Sequence, residues 1–152
     1  MLIRPAGSSD VETLADANMS LAHETEGLVL DRDVTLVGVR AVLEDPARGR
    51  YFIAEVDGRV AGQLMITPEW SDWRARWFWW IQSVYVQKPM RRRGVYRALH
   101  AHVLVEANRL GVSCVKLYVD RDNQRAQATY EALGMRRSHY DLFEAEIPQT
   151  TD

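Results

Sequence analysis

The first apolar run of the chain, "LIRPA", is short and strand-like. "SSDVETLADANMSLAHE" follows, with Ser8 or Ser9 as a cap and an acidic first turn, the marks of a helix start. "RDVTLVGVRAVLED" reads as a second helix, with Asp33 as its cap, Val34, Val37, Ala41 and Leu43 as its apolar set, and Gly38 weakening it. The period then changes. "RYFIAEVDGRVAGQLMITPEW" holds two β-rich runs parted by Asp57-Gly58, a strong hairpin signal. "WRARWFWWIQSVYV" is a third strand of the same meander, joined through Ser71 and Asp72.

Helical spacing returns at Val95, Leu99, Val103, Ala107 and Leu110, with Gly111 placed to end the helix. "VSCVKLYVD" is the next strand. It follows a helical crossover, so it should run parallel to the strand before that helix. "NQRAQATYEALGM" is a short helix capped by Asn123 and closed by Gly134, and "RRSHYDLFEAEI" predicts a final strand. The order β-α-α-β-β-β-α-β-α-β is that of an α/β (α+β) fold. One domain over residues 1–152 is expected, with a mixed, mostly antiparallel sheet flanked by about four helices.

Composition changes this picture little. The 152 residues carry a net charge of −2 and are 47% hydrophobic and 26% charged. That is ordinary for a globular protein and offers no global basic field for nucleic acid or an anionic membrane. The single cysteine, Cys114, excludes an intrachain disulfide and reads as a small buried hydrophobe. "MLIRPAGSSD" has no secretory apolar core and no apolar run reaches membrane-spanning length, so a cytoplasmic location is expected. All five tryptophans fall between Trp70 and Trp80. On a strand Trp77 and Trp79 share one face, Phe78 and Trp80 the other. One face belongs to a core; the other is an exposed surface, an acceptor pocket wall or a subunit interface. Glu69 and Asp72 lie close enough in sequence to attract a cationic ligand.

Against that neutral background, "VYVQKPMRRRGVYRAL" is a local anomaly. A strand gives way to Pro89, three arginines, Gly94 and a helix. The first N–H groups of a helix lack intrahelical partners, and the helix dipole adds positive potential there. Phosphate is held well by such an end, by a glycine that lets backbone approach, and by arginines. Neither the Walker A pattern nor the dinucleotide G-x-G-x-x-G is present.

Arg91-Arg92-Arg93-Gly94-Val95-Tyr96 resembles the Q/R-x-x-G-x-G/A turn of the GNAT superfamily of acyl-CoA-dependent N-acetyltransferases, with Tyr96 where that family usually has Gly or Ala. "LYVDRDNQRAQATYEALGM" resembles the family's second motif. Asn123, Ala126, Tyr130 and Gly134 fall in place, with Met135 for the usual phenylalanine. The element order matches from Leu2 to Ile147. The resemblance implies a splay between the fourth and fifth strands. Backbone groups of Val84, Tyr85 and Val86 would there meet the pantetheine of acetyl-CoA, and the amides of residues 91–96 would hold its pyrophosphate. By the same analogy Tyr130 is the general acid at the cofactor sulfur, on one helical stripe with Asn123 and Ala126. No metal is implied.

A general base is not obvious. The strand face assigned to Trp80, Gln82 and Val84 has no carboxylate. Gln82 on that strand and Glu24 or Glu26 after the first helix, near His23, are the candidates for a water relay. The expected activity is acetyl transfer from acetyl-CoA to a primary amine of a small molecule or peptide. A longer acyl donor is a variant of it, and a non-catalytic acyl-CoA-binding module is the alternative. A homodimer is one reading of the apolar surface; nucleic acid and membrane are not expected partners.

Overall fold

A computed structural model describes residues 1–149. The chain divides into two compact units, Met1–Tyr118 and the residues from Val119 onward.

The first unit is built on a five-stranded sheet in the order β1 (Leu2–Pro5), β2 (Arg50–Val56), β3 (Arg59–Ser71), β4 (Arg76–Val86), β5 (Cys114–Lys116). β1 to β4 pair antiparallel, and β5 lies parallel to β4. Helices α1 (Val11–Glu26) and α2 (Arg32–Glu44) pack against one face and α3 (Val95–Arg109) against the other. Alternation along the strands separates two cores. Phe52, Ala54, Leu64, Ile66, Trp79 and Ile81 meet Val95, Leu99, Val103 and Ala107 of α3. Tyr51 and Ile53 meet Val11, Leu14 and Ala15 of α1 and Val39 of α2.

The hairpin at Asp57-Gly58 forms as its dipeptide predicts. Both residues take left-handed backbone, φ 52° and 72°, the pair of signs that a two-residue turn between twisted strands requires. α3 ends as expected, with Gly111 at φ 70° and Val112 N–H returned to Ala107 O at 2.9 Å.

Several expectations need correction. Ser8 and Ser9 lie in a short 3-10 turn, Ser8–Asp10, and α1 starts after it. Asp10 organises that turn, accepting from Gly7 N–H at 2.7 Å and from both Arg4 terminal nitrogens at 2.8 Å. The cap of α2 is Asp31, whose carboxylate accepts from Val34 N–H at 3.0 Å, and not Asp33. The buried stripe of α2 is also displaced. Val34 and Val37 are exposed, whereas Val39 is buried and Leu36, Val42 and Leu43 pack beside it. Cys114 is exposed, because it sits on the sheet's last strand. β5 covers only Cys114–Lys116 of the expected 112–120.

The second unit contains α4 (Gln124–Ala132). Asn123 caps it through Ala126 N–H at 3.1 Å. Gly134 closes it at φ 87°, with Met135 N–H returned to Tyr130 O at 3.0 Å. The strand expected over 136–147 is absent: those residues enter no strand pairing among the described residues. Period-2 alternation shows that a segment suits a strand; it cannot supply the neighbour that makes one.

Candidate active site

β4 changes character halfway along. Its ladder with β5 runs only from Phe78↔Cys114 to Trp80↔Lys116, while β4 continues to Val86. Beyond Trp80 the β5-side edge of β4 is unpaired among the described residues, so its backbone groups are open to an extended ligand.

The same stretch carries a bulge. Ser83 is in left-handed backbone, φ 49°, and the β3–β4 register shifts between Gln63 and Met65. The extra residue changes which side chains share a face. Met65 opposes Gln82 and Gln63 opposes Tyr85, so Gln82 and Tyr85 look toward α1. Val84 and Val86 pack on the α3-side core. The sequence-based grouping of Val84 with Trp80 and Gln82 is therefore wrong by the one residue that the bulge inserts. No turn residue marks it; a serine with positive φ leaves no sequence signal.

The α1-facing side is a polar network. Gln82 donates to Thr67 Oγ1 at 2.7 Å, and Trp80 Nε1 to Glu69 Oε1 at 3.1 Å. Deeper in, Gln63 Nε2 donates to Asn18 Oδ1 and Asn18 Nδ2 to the Tyr51 hydroxyl, each at 2.9 Å. Tyr51 also bonds the Ser83 side chain, which ties the bulge to the core, and burial pushes its phenol up. Glu69, expected as a lure for a cationic ligand, is already engaged by Lys116 at 3.5 Å. That ammonium lies over the Phe78 ring at 4.1 Å.

Past Val86 the chain makes a 3-10 turn, Lys88–Met90, and then the arginine turn. Arg92 and Gly94 are both left-handed, φ 65° and 78°, with Gly94 at the cap position of α3. Arg93 between them does not share that backbone, and alternation of this kind at a helix start forms a hollow that can accept an anion. No atom lies within 4 Å of a Cβ built on Gly94, so its backbone is open and φ alone calls for glycine. Arg92 and Arg93 are exposed. Tyr96, in place of the usual small residue, packs its ring on the α3-side core. Gly62 permits the close approach of α3: a Cβ there would meet Tyr85 O and Val95 Cγ1, each at 2.9 Å.

Arg91 is not free in the hollow. Its Nε donates to Val86 O at 3.0 Å and its terminal nitrogen to Glu24 Oε2 at 2.7 Å. Glu24 also accepts from the Tyr85 hydroxyl at 3.1 Å and sits 3.5 Å from Lys88 Nζ. The Arg91 guanidinium, with smaller help from Tyr85 and Lys88, holds the Glu24 carboxyl below the usual range. Beside this cluster opens a cavity of about 600 Å³ whose lining includes Met19, His23, Glu24, Leu28, Tyr85 and Lys88. Glu26, the last residue of α1, is exposed and is not in that lining, nor is Gln82. In the second unit, Tyr130 is half-buried and burial pushes its phenol up.

The acetyltransferase (GNAT) family model matches residues 12–135. A possible acetyltransferase from Clostridium difficile 630 is 42% identical, with a TM-score of 0.92 over 97% of this chain and 98% of that one. The chain is 30% identical over 93 residues to an L-ornithine N5-acetyltransferase of Arabidopsis thaliana, covering 60% of this chain and 41% of that protein. It is 29% identical over 128 residues to a mycothiol acetyltransferase of Kocuria rhizophila, covering 70% and 42%. The chain thus spans about two fifths of the length of these curated relatives. No helix of the described residues is long and apolar enough to cross a membrane. On the strength of the match over residues 12–135, this chain belongs to the GNAT acetyltransferase family.

Proposed function

We propose that the protein transfers the acetyl group of acetyl-CoA to a primary amine. The observation that carries this reading is the pairing of two features: the unpaired edge of β4 beyond Trp80 and the hollow at Arg92 and Gly94 where α3 begins. The first suits the amides of a pantetheine arm, the second a pyrophosphate. Acetyl-CoA supplies an activated thioester and a thiolate leaving group. The name of one relative gives an amine nitrogen, N5 of L-ornithine, as its acceptor, which supports an amine here.

In this reading the amides of 91–96 and the guanidinium groups of Arg91, Arg92 and Arg93 hold the phosphates. Backbone of Val84, Tyr85 and Val86 positions the arm, and an N–H of that stretch stabilises the oxyanion. Asn123 and Ala126 fix the start of α4, and Tyr130 donates the proton at the sulfur. Its raised pKa keeps the phenol protonated at neutral pH.

An alkyl ammonium must lose a proton first, which costs about 4 kcal/mol for a group about three pH units above neutrality. Glu24 is a poor direct base, because Arg91 stabilises its charged form. The proton leaves through water, with Gln82, Glu24 and Glu26 as polar stations. The test is release of free thiol from acetyl-CoA across a panel of primary amines. Amine-dependent release confirms transfer. Binding of acetyl-CoA without turnover on any amine favours a sensing module instead, a reading to which the lack of a carboxylate beside Gln82 lends support.

A further inference from the structure

Ser83 holds a backbone that a residue with a Cβ does not favour. Its φ of 49° lies in the left-handed region, and such a conformation persists only where its surroundings impose it. Those surroundings lie on the α1 side of the sheet and within the first unit. Tyr51 stands on β2, so its hydroxyl reaches the Ser83 side chain across the width of β3. The same hydroxyl accepts from Asn18 Nδ2 at 2.9 Å, and Asn18 Oδ1 accepts from Gln63 Nε2 at 2.9 Å. Gln63 Nε2 also reaches Leu14 O at 3.4 Å. Tyr51 thus ties the bulge to α1 and β3.

Stability alone does not call for this network. Tyr51 and Gln63 are buried, and Gln63 Oε1 has no hydrogen-bond partner among the described residues. A buried oxygen left so costs free energy that an apolar side chain of similar size would not. What the network does fix is one backbone conformation on β4.

Ser83 immediately precedes Val84, Tyr85 and Val86, the stretch that the proposed function sets against acetyl-CoA. Left-handed backbone at Ser83 rotates the peptide groups on either side of it, so it decides where the following N–H groups point. We propose that Tyr51, held by Asn18 and Gln63, is a positioning residue for acetyl transfer: by fixing Ser83 it aims a β4 N–H at the thioester oxygen. This inference rests on the acetyl-CoA reading above.

The probe is acetyl-CoA isotopically labelled at the thioester carbonyl. A hydrogen bond to that oxygen weakens the C=O bond, so infrared difference spectra of the bound cofactor are expected to show the stretch below its free value. This readout needs no acceptor. Tyr51→Phe and Ser83→Ala delete the same bond from its two ends. Each is expected to return the stretch toward the free value. With an amine that the acceptor panel supplies, each should lower kcat by about tenfold or more, short of the roughly 100- to 1,000-fold that loss of a whole oxyanion donor costs. KM for acetyl-CoA should hardly move, because the phosphates are held elsewhere. Ser83→Gly in the Tyr51→Phe chain is expected to restore both readouts, since glycine takes positive φ without support. A bound carbonyl at its free value in the wild type, a stretch unmoved by Tyr51→Phe, glycine behaving like alanine at 83, or a loss confined to the unfolding temperature would each overturn the inference and leave acetyl-CoA binding standing. A wild-type chain that binds no acetyl-CoA would overturn the functional reading itself, and this inference with it.

Discussion

Glu24 is the residue through which the cavity beside α1 and the arginine turn communicate. Its carboxylate is shared by Arg91, Lys88 and the Tyr85 hydroxyl. A phosphate ligand in the hollow would compete with it for Arg91. Glu24→Gln removes the competing charge and nearly no volume, so acetyl-CoA should bind a few-fold more tightly by calorimetry. The sign of the pH effect follows from the lowered pKa. The ion pair is intact above the unfolded carboxyl pKa and is lost as pH falls through the folded one. The advantage of Glu24→Gln should therefore shrink in acid; an advantage constant with pH would detach Glu24 from Arg91. At Tyr130 the test is chemical. Tyr130→Phe removes one hydroxyl, so cofactor affinity should persist while the chemical step slows by about 10- to 1,000-fold. An unchanged rate, with chemistry limiting, would take the phenol out of the mechanism.

At the scale of elements, the site depends on how closely α3 sits on the sheet, and Gly62 sets that distance. Gly62→Ala places a methyl within 2.9 Å of Tyr85 O and Val95 Cγ1. Backbone cannot yield cheaply, so the start of α3 must shift. Overpacking of this kind costs about 1–3 kcal/mol. The expected result is a lower unfolding midpoint in denaturant together with weakened acetyl-CoA binding; loss of stability with full affinity would show that the hollow tolerates the shift. Gly62 also illustrates what the sequence hides. The hairpin at Asp57-Gly58, the caps at Asn123 and Gly134 and the stripe Val95, Leu99, Val103, Ala107 were legible because each is set by local backbone chemistry or a repeated spacing. The bulge at Ser83, the Asn18–Gln63–Tyr51 network and the Glu24–Arg91 pair join positions far apart in the chain, and no local rule encodes them. The strand expected at 136–147 failed for the same reason, since pairing is a property of the neighbour as much as of the segment. The arginine turn was readable as a break between strand and helix, but not that Arg91 turns back to Val86 and Glu24.

At the scale of the whole molecule, the charge states of the candidate site imply a pH profile. Burial raises the Tyr130 phenol above its ordinary value, so the proposed acid stays protonated through neutral and mildly alkaline solution. Arg91 lowers Glu24, so that carboxylate stays ionised through the same window. Burial also lowers His100, in the α3-side core, which keeps that imidazole neutral near pH 7. The surroundings of Tyr130 and of Glu24 thus move both groups away from neutrality, the phenol upward and the carboxyl downward. On the proposed reading, the proton that must leave before transfer is that of the acceptor amine itself. With subsaturating amine, kcat/KM for the amine should rise about tenfold per pH unit through neutrality, because each unit deprotonates ten times more of an amine with a pKa near 10. The rise should level off near the amine's own pKa, and that break should move when an acceptor of lower pKa is substituted. Gln82→Ala, Glu24→Ala and Glu26→Ala should each cost about 10-fold or less, since water carries the proton past any one of them. A break near neutrality that stays fixed as the acceptor changes would instead belong to the enzyme. It would reveal a dedicated base, and the single substitution that abolished the break would identify it.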